Sequence, residues 1–382
     1  MLKFGVIGYG GRIRYIIDAM RAFSVPFEIA AIADPRGEEI KAEIETLRAA
    51  TVYSDADEML DSEELDGALV GTRCSLHSPM ACKVAQRNLP LFLEKPVATS
   101  IDQVRALAAA YKTATAEVVV SFPLRLTPLV QAAKEIVDSG RLGPIDHVQA
   151  WNNVPYGGCY YGAWYRDYNE TGGLFLQKAT HDFDYISYLL GQQPKWVAAM
   201  NSRRVYGGDK PEDLKCDDCP EQDECLESPF NMYYRRCEAD KVKPSGQMCM
   251  FSESIRNEDS GNAIVEFENG VQASYSQNFF ARRAAGARGA RLFGYHGTVE
   301  FDWYTDELKV FMHHSPRVET IRFDSATRSH GGGDTELVYD FLRIVQGTGH
   351  SRSPIQAGII SALTCLKARE SAQTRQFCEV VL

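Results

Sequence analysis

Two stretches of this 382-residue chain carry side chains able to do proton or charge chemistry at a defined place. The first is Leu91-Phe92-Leu93-Glu94-Lys95-Pro96, a short apolar strand that ends in a charged pair and a proline. Proline drives the residue before it toward extended geometry, so Lys95 belongs to the strand-to-helix connection and not to the next helix. In open α/β sheets ligands bind beyond the carboxyl ends of the strands, which is where this lysine is expected. It is either a solvated surface lysine or a cation delivered to a site. The second stretch runs from Gly172-Gly173 through Gln177, Lys178, His181, Asp182 and Asp184 to Leu190 and stops at Gly191. It predicts a single helix with a glycine stop. Ala179, Phe183, Ile186 and Leu190 form an apolar stripe, and Gln177, His181, Asp184 and Tyr188 form a polar row at the same spacing. An imidazole and a carboxylate in one row make either a satisfied polar seam or an acid/base site.

The elements that must position these groups begin with Lys3-Phe4-Gly5-Val6-Ile7, followed at once by Gly8-Tyr9-Gly10-Gly11-Arg12-Ile13 and a helix through Tyr15, Ile16 and Ala19. Gly8 permits a tight turn, Gly10 lets a pyrophosphate approach the backbone, and the helix start offers free N–H groups. Ile13 stands where the G-x-G-x-x-G pattern wants its third glycine. The next strand, Glu28–Ala33, ends at Asp34, near where an acidic residue meets the adenine ribose hydroxyls of NAD. Asp34 favours NAD, with NADP less favoured; Arg36 could instead pair a 2′-phosphate. Strands at Asp66–Val70, Leu91–Leu93 and Glu117–Ser121 alternate with helices near Lys41–Leu47, Pro79–Arg87 and Gln103–Lys112, the last capped by Ser100. That alternation predicts a doubly wound parallel sheet of Rossmann type.

The length and the 45% hydrophobic content exceed one ordinary core, so two domains are expected, at 1–122 and 123–382. A net charge of −10 disfavours nucleic acid and anionic membrane as partners, leaving a small molecule. No apolar run reaches the ~20 residues of a membrane span, and the first strand leaves no room for a leader, so a cytoplasmic protein is expected. After Phe122-Pro123 the pattern changes to one helix and then a long strand, Ile145–Asn153, with alternating polar residues, as in a sheet with one wet face.

The glycine turn, Ala33-Asp34-Pro35, Gly71-Thr72 with His77, and Glu94-Lys95-Pro96 together resemble the glucose–fructose oxidoreductase / inositol dehydrogenase family, Gfo/Idh/MocA. The resemblance implies a C-terminal α+β domain with an open, mostly antiparallel sheet, and a homodimer or homotetramer built on that sheet. It implies that Lys95 lies beside the nicotinamide, with Thr72, His77 and Glu94 near the cofactor and Trp164, Tyr165 and Arg166 near nicotinamide and substrate. It also implies that His181 is the acid/base. The family's usual Asp is Gln177 here, and Lys178 beside it is an unexpected cation that could touch substrate. His181 and Asp184 match. The implied activity is hydride transfer between a nicotinamide and a secondary hydroxyl or ketone of a sugar, sugar derivative or cyclic polyol: His181 takes the O–H proton and Lys95 favours the developing alkoxide. Two other readings stay open, an NAD-assisted glycosidase or lyase that oxidises the sugar transiently, and a non-catalytic dinucleotide-sensing protein.

Of ten cysteines, Cys74, Cys82, Cys159, Cys365 and Cys378 are scattered like core residues. Cys216, Cys219, Cys225 and Cys237 cluster in a polar insert, about 209–250, where a structural zinc, free thiols or a disulfide are each open. His330-Gly331-Gly332-Gly333-Asp334 reads as a linker before the terminal helices, or as a loop able to close over a substrate.

Overall fold

The structure, a computed structural model, describes residues 1–229, 231, 246–324 and 329–382. Strands β1 (Leu2–Ile7), β2 (Phe27–Ala33), β3 (Thr51–Tyr53), β4 (Gly67–Val70), β5 (Leu91–Leu93) and β6 (Val118–Val120) form a parallel sheet in the order β3-β2-β1-β4-β5-β6. Helices α1 (Gly11–Met20), α2 (Gly37–Glu43), α3 (Ala56–Ser62), α4 (Cys74–Gln86) and α5 (Ile101–Thr113) connect them. Strands β4, β5 and β6 are buried along their whole length, as in a sheet covered on both faces. The strand order reverses between β1 and β4, and their carboxyl ends frame the crevice where such folds bind ligands.

Helix α4 starts at Cys74, ahead of the expected Pro79, and carries that proline inside it. Proline leaves the carbonyl of residue i−4 without its helical partner. That carbonyl, on Ser75, accepts instead from Gln103 Nε2 at 2.8 Å. Gln103 thus does double duty, because its Oε1 accepts from Thr99 N (2.8 Å) while Ser100 Oγ caps the Gln103 N–H (3.2 Å). Helix α3 escaped the sequence reading; it is capped by Asp55, which accepts from the Asp57 and Glu58 N–H groups.

The remainder builds helices α6 (Pro128–Asp138), α7 (Cys159–Gly162), α8 (Tyr168–Thr171), α9 (Leu174–Gln177) and α10 (Thr180–Leu190). It also builds a sheet of β7 (Ile145–Asn153), β8 (Pro194–Ser202), β9 (Ser260–Phe267), β10 (Gln272–Asn278), β11 (Ala287–Gly294), β12 (Gly297–Asp302), β13 (Glu307–Met312) and β14 (Val318–Arg322). After them come α11 (Gly333–Val345), α12 (Ile355–Thr374) and the edge strand β15 (Cys378–Glu379). The nine strands run β14-β13-β12-β11-β7-β10-β9-β8-β15. Only β7 with β10 pair in parallel; every other neighbouring pair is antiparallel. Phe183, Ile186 and Leu189 of α10 are buried with Val148 and Ala150 of β7, Ala273 and Tyr275 of β10, and Leu363 and Leu366 of α12.

Helix α11 then returns to the first sheet. Leu337, Val338, Phe341 and Leu342 share a core with Phe4, Val6, Ile16 and Phe92, and the Phe341 ring lies 5.5 Å from that of Phe4. Residues far down the chain therefore help to close the parallel sheet.

The single helix expected from the glycine pair to Leu190 is broken at Lys178, with α9 before it and α10 after it. In an unbroken helix the Gln177 carbonyl would accept from His181 N. It accepts instead from Lys95 Nζ at 3.0 Å, while His181 N turns to Lys178 O (3.4 Å). The glycine stop holds: Gly191 is left-handed, at φ 62°.

Candidate active site at the crevice between the sheets

At the end of β1, Gly8 has φ +79°, and a Cβ there would stand 2.7 Å from the Thr72 backbone, so only glycine allows this closeness of the β1 and β4 turns. Gly10 caps α1 with no side-chain hydrogen bond, which leaves the first N–H groups of a ten-residue helix open to a ligand. Ile13 does not loosen the packing that a third glycine would provide. The small residue has moved across to the strand: a Cβ on Gly71 would lie 1.9 Å from Ile13 Cγ1. Asp34 follows β2 and accepts from Tyr9 N and Arg36 N, each at 2.8 Å, while the exposed Arg36 side chain stays 3.9 Å away. An uncapped helix start behind a glycine turn, with a carboxylate on the neighbouring strand end, fits a dinucleotide.

Arg12, the expected cofactor contact, is held from three directions. It donates to Glu94 Oε1 (2.9 Å), Ser121 Oγ (3.0 Å) and Asp334 Oδ2 (3.0 Å), joining the ends of β1, β5 and β6 to the start of α11. His77 is buried, with Nδ1 2.8 Å from Pro96 O and Nε2 3.1 Å from Thr72 O. Burial holds its pKa below the ordinary value. It ties together the turns after β4 and β5.

Lys95 Nζ reaches over the end of β5 to the Gln177 carbonyl, and the α9–α10 break places His181 three residues beyond Lys178 on the facing wall. Burial brings the Lys95 pKa down to about 8, with the charge of Lys178 adding to the effect. His181 is buried, packs edge-on to Phe122 at 5.8 Å and lies 6.4 Å from the His330 ring, and its Nδ1 finds no partner. Burial first, then Lys95 and Arg288, hold its pKa well below 6.5, so the ring is neutral and able to accept a proton. Lys178 Nζ donates to Tyr156 Oη at 2.5 Å, and the Gln177 side-chain oxygen accepts from Cys74 Sγ (3.6 Å). Arg288 on β11 donates through Nε to Asp182 Oδ1 (2.8 Å), and Asp182 also accepts from Asn152 and Tyr275. The sequence reading missed Arg288, Tyr156 and the role of Asp182. Each lies far from the recognisable motifs, and only the register of β7, β10 and β11 brings them to α10.

Several expected site residues are placed elsewhere. Asp184 does not bond His181: both its oxygens accept from Arg125, at 2.5 and 3.0 Å, and burial raises its pKa to about 6 against that guanidinium. Successive helix residues point in different directions, so an i+3 carboxylate serves the imidazole only when no stronger partner intervenes. Arg166 donates to Ser254 Oγ at 2.9 Å, on the side of the polar insert. Trp164, by contrast, stays beside the crevice: it stacks on Tyr165 at 3.9 Å and lies under the guanidinium of Arg73, the residue after Thr72, at 4.1 Å.

The zinc expectation finds no support. Cys237 lies outside the described residues, and among the described residues no three Cys, His, Asp or Glu side chains are grouped to hold a metal ion. Cys216, Cys219 and Cys225 instead line a cavity of about 20 Å³ with Cys249, a cysteine that the spacing did not single out. Burial and these neighbours push the Cys216 thiol up to about 11, which keeps it protonated. No helix among the described residues is long and apolar enough to cross a membrane.

Comparison with known proteins agrees with this architecture. Residues 2–122 match the oxidoreductase family with an NAD-binding Rossmann fold, and residues 130–300 match the GFO/IDH/MocA C-terminal domain. The oxidoreductase YteT of Bacillus subtilis is 26% identical over 369 residues, spanning 86% of this chain and 85% of its own. Inositol 2-dehydrogenase of Rhizobium meliloti is 26% identical over 201 residues, which is 52% of this chain and 58% of the relative. Levoglucosan dehydrogenase, solved with NADH and levoglucosan, shares the fold over 100% of both chains with a TM-score of 0.76 at 20% identity. A dinucleotide turn at the switch point of a parallel sheet, faced by a lysine and a histidine from the two sides of the crevice, thus goes with both halves of one family's pattern. The chain belongs to the Gfo/Idh/MocA family of NAD-binding oxidoreductases.

Proposed function

We propose that the protein is an NAD-dependent dehydrogenase that acts on a secondary hydroxyl or ketone of a sugar, sugar derivative or cyclic polyol. The observation that carries this reading is the meeting of Lys95 and His181. The Lys95 Nζ–Gln177 O bond stands at the break before the helix that carries His181, a neutral imidazole whose Nδ1 has no partner and on which the Lys95 charge acts. In this reading residues 1–122 hold the cofactor, through Gly8, Tyr9, Gly10, Asp34 and Thr72, and residues 123–382 hold the substrate. The bound nicotinamide supplies the hydride acceptor. His181 takes the hydroxyl proton on its free nitrogen as the carbinol carbon is oxidised. Lys95 donates to the same oxygen and favours the developing alkoxide, and in the reverse direction the two return the proton to the carbonyl. Asp184, bonded to Arg125, supports the helix and not the proton transfer.

A homodimer or homotetramer in the cytoplasm completes the proposal. Its support is the pair of apolar side chains on neighbouring strands β8 and β9, Met200 and Ile264, which are 66% and 55% exposed. Sedimentation equilibrium should give a mass at least twice that of the monomer.

The test of the activity is a panel of sugars, sugar acids and polyols followed at the NADH absorbance, with product analysis wherever no signal forms. Steady NADH formation on a member of the panel supports the proposal. A product released with no net NADH favours transient oxidation followed by elimination.

A further inference from the structure

Three cations converge on the substrate side of His181: Lys95 at the end of β5, Lys178 at the α9–α10 break and Arg288 on β11. The charges of all three bear on the imidazole. Lys178 and Arg288 are almost fully buried, at 6% and 8% exposure. Buried charges in folded proteins are ordinarily paired, because an unpaired one loses its hydration without return. Here two carboxylates lie near the group, and among the described residues Lys178 pairs with neither. Asp182 takes Arg288 Nε, and Glu94, the other nearby acid, is engaged by Arg12.

The arrangement is short of an acceptor at a definite atom. Arg288 Nη2 is buried and has no hydrogen-bond partner. Lys178 Nζ has a phenol for company, Tyr156, and sits 4.7 Å from that ring and 5.7 Å from the ring of Tyr160. The excess positive field outweighs burial at Tyr156 and draws that hydroxyl below its ordinary pKa, chiefly through Lys178 and Arg288. The cofactor does not account for these groups. Its phosphates belong at the glycine turn, and a 2′-phosphate would fall at Asp34 and Arg36, whereas Lys178 and Arg288 come from the opposite wall and share it with Asp182 and Tyr156.

We propose that Lys178 and Arg288 form an anion subsite beside the reacting hydroxyl, and that the preferred substrate is a sugar acid whose carboxylate binds there. The half-exposed ring of Tyr156 at the mouth offers a face for the sugar itself.

This inference rests on the dehydrogenase reading, and the test separates the two. Matched pairs are compared at the NADH absorbance: glucuronate with methyl glucoside, galacturonate with methyl galactoside, gluconate with sorbitol, and glucose 6-phosphate as the phosphate arm. The expected result is kcat/KM at least about a hundredfold higher for an acid than for its neutral partner, on the scale of one or two charge-assisted hydrogen bonds. In Lys178→Gln the acid-to-neutral ratio should fall about tenfold to a hundredfold, mostly through KM, and Lys178→Arg should restore most of it. Arg288→Lys, which keeps a cation for Asp182, should lower the ratio less than Lys178→Gln. Calorimetry of acid binding to the protein with NADH repeats the comparison without turnover. Neutral members oxidised as well as their acids would overturn the subsite while leaving the dehydrogenase intact. Preference for glucose 6-phosphate over every carboxylate would overturn the sugar-acid assignment. If no member reduces NAD, it is the dehydrogenase reading that fails.

Discussion

The two sides of the crevice treat charge in opposite ways. On the glycine-turn side, Arg12 has two carboxylates and a hydroxyl, and both oxygens of Asp34 accept backbone N–H groups. On the facing side, Asp182 takes Arg288, Lys178 has the Tyr156 hydroxyl, and both His181 Nδ1 and Arg288 Nη2 lack partners. Satisfied polar networks fix a geometry, and unsatisfied buried groups keep a reserve of interaction for something that arrives later. On the proposed reading, the first wall holds one cofactor in one place, and the second is left incomplete for a substrate that completes it.

The strongest break is removal of the two acting groups, one from each wall. His181→Ala and Lys95→Ala should each lower kcat by about 10²–10⁴, the usual scale for positioned proton transfer. NAD affinity, measured by calorimetry in the same variants, should stay nearly constant. Because both groups act on one oxygen, the double variant should lose less than the product of the single losses. Turnover that survives either single change would move the chemistry elsewhere on the wall.

The first wall breaks through packing. Gly71→Ala drives a methyl into Ile13 and should cost about 1–3 kcal/mol of stability, read from urea unfolding. Adding Ile13→Ala should recover most of the loss. A Gly71→Ala protein as stable as the parent would show that the glycine has not taken over the role missing at position 13.

pH distinguishes the two walls more gently. Lys95, with its pKa brought down to about 8, is charged below that value and loses its proton above it, so kcat for oxidation should decline by about tenfold per pH unit beyond roughly 8. His181, held well below 6.5, is already neutral at pH 6.5, so no acid limb is expected between about pH 6.5 and 8. An acid limb near 6.5 would mean that the imidazole is not shielded as described.

The smallest expected effect is at Asp34. A 2′-phosphate would meet its carboxylate, so NAD should bind more tightly than NADP, and Asp34→Asn should narrow the gap by about tenfold. Preference of the parent protein for NADP would give the deciding role to Arg36.

The first wall was largely legible in the sequence, because its chemistry is local. Gly8, Gly10 and Asp34 lie within one strand-turn-helix-strand unit, and Lys95 is marked by the proline that follows it. Even there, the compensation of Ile13 by Gly71 depends on two strands meeting and leaves no local mark. The second wall was half legible. His181 stood out by its helical row, but Asp184 in the same row was taken by Arg125, which reaches α10 from the turn before α6. Arg288 lies 107 positions beyond His181, in a strand whose alternation shows which residues face inward and not what they meet. The helix break at Lys178 had no signal, since its cause is a lysine from the other sheet.

The most direct test of hydride transfer at Lys95 and His181 uses a substrate deuterated at the carbon that product analysis shows to be oxidised. After turnover with NAD, the mass of the NADH formed is measured. The account predicts NADH heavier by one deuterium and a ketone product free of it, with no label entering NADH from heavy water. Unlabelled NADH, or a product that keeps its deuterium while the nicotinamide ends oxidised, would contradict it.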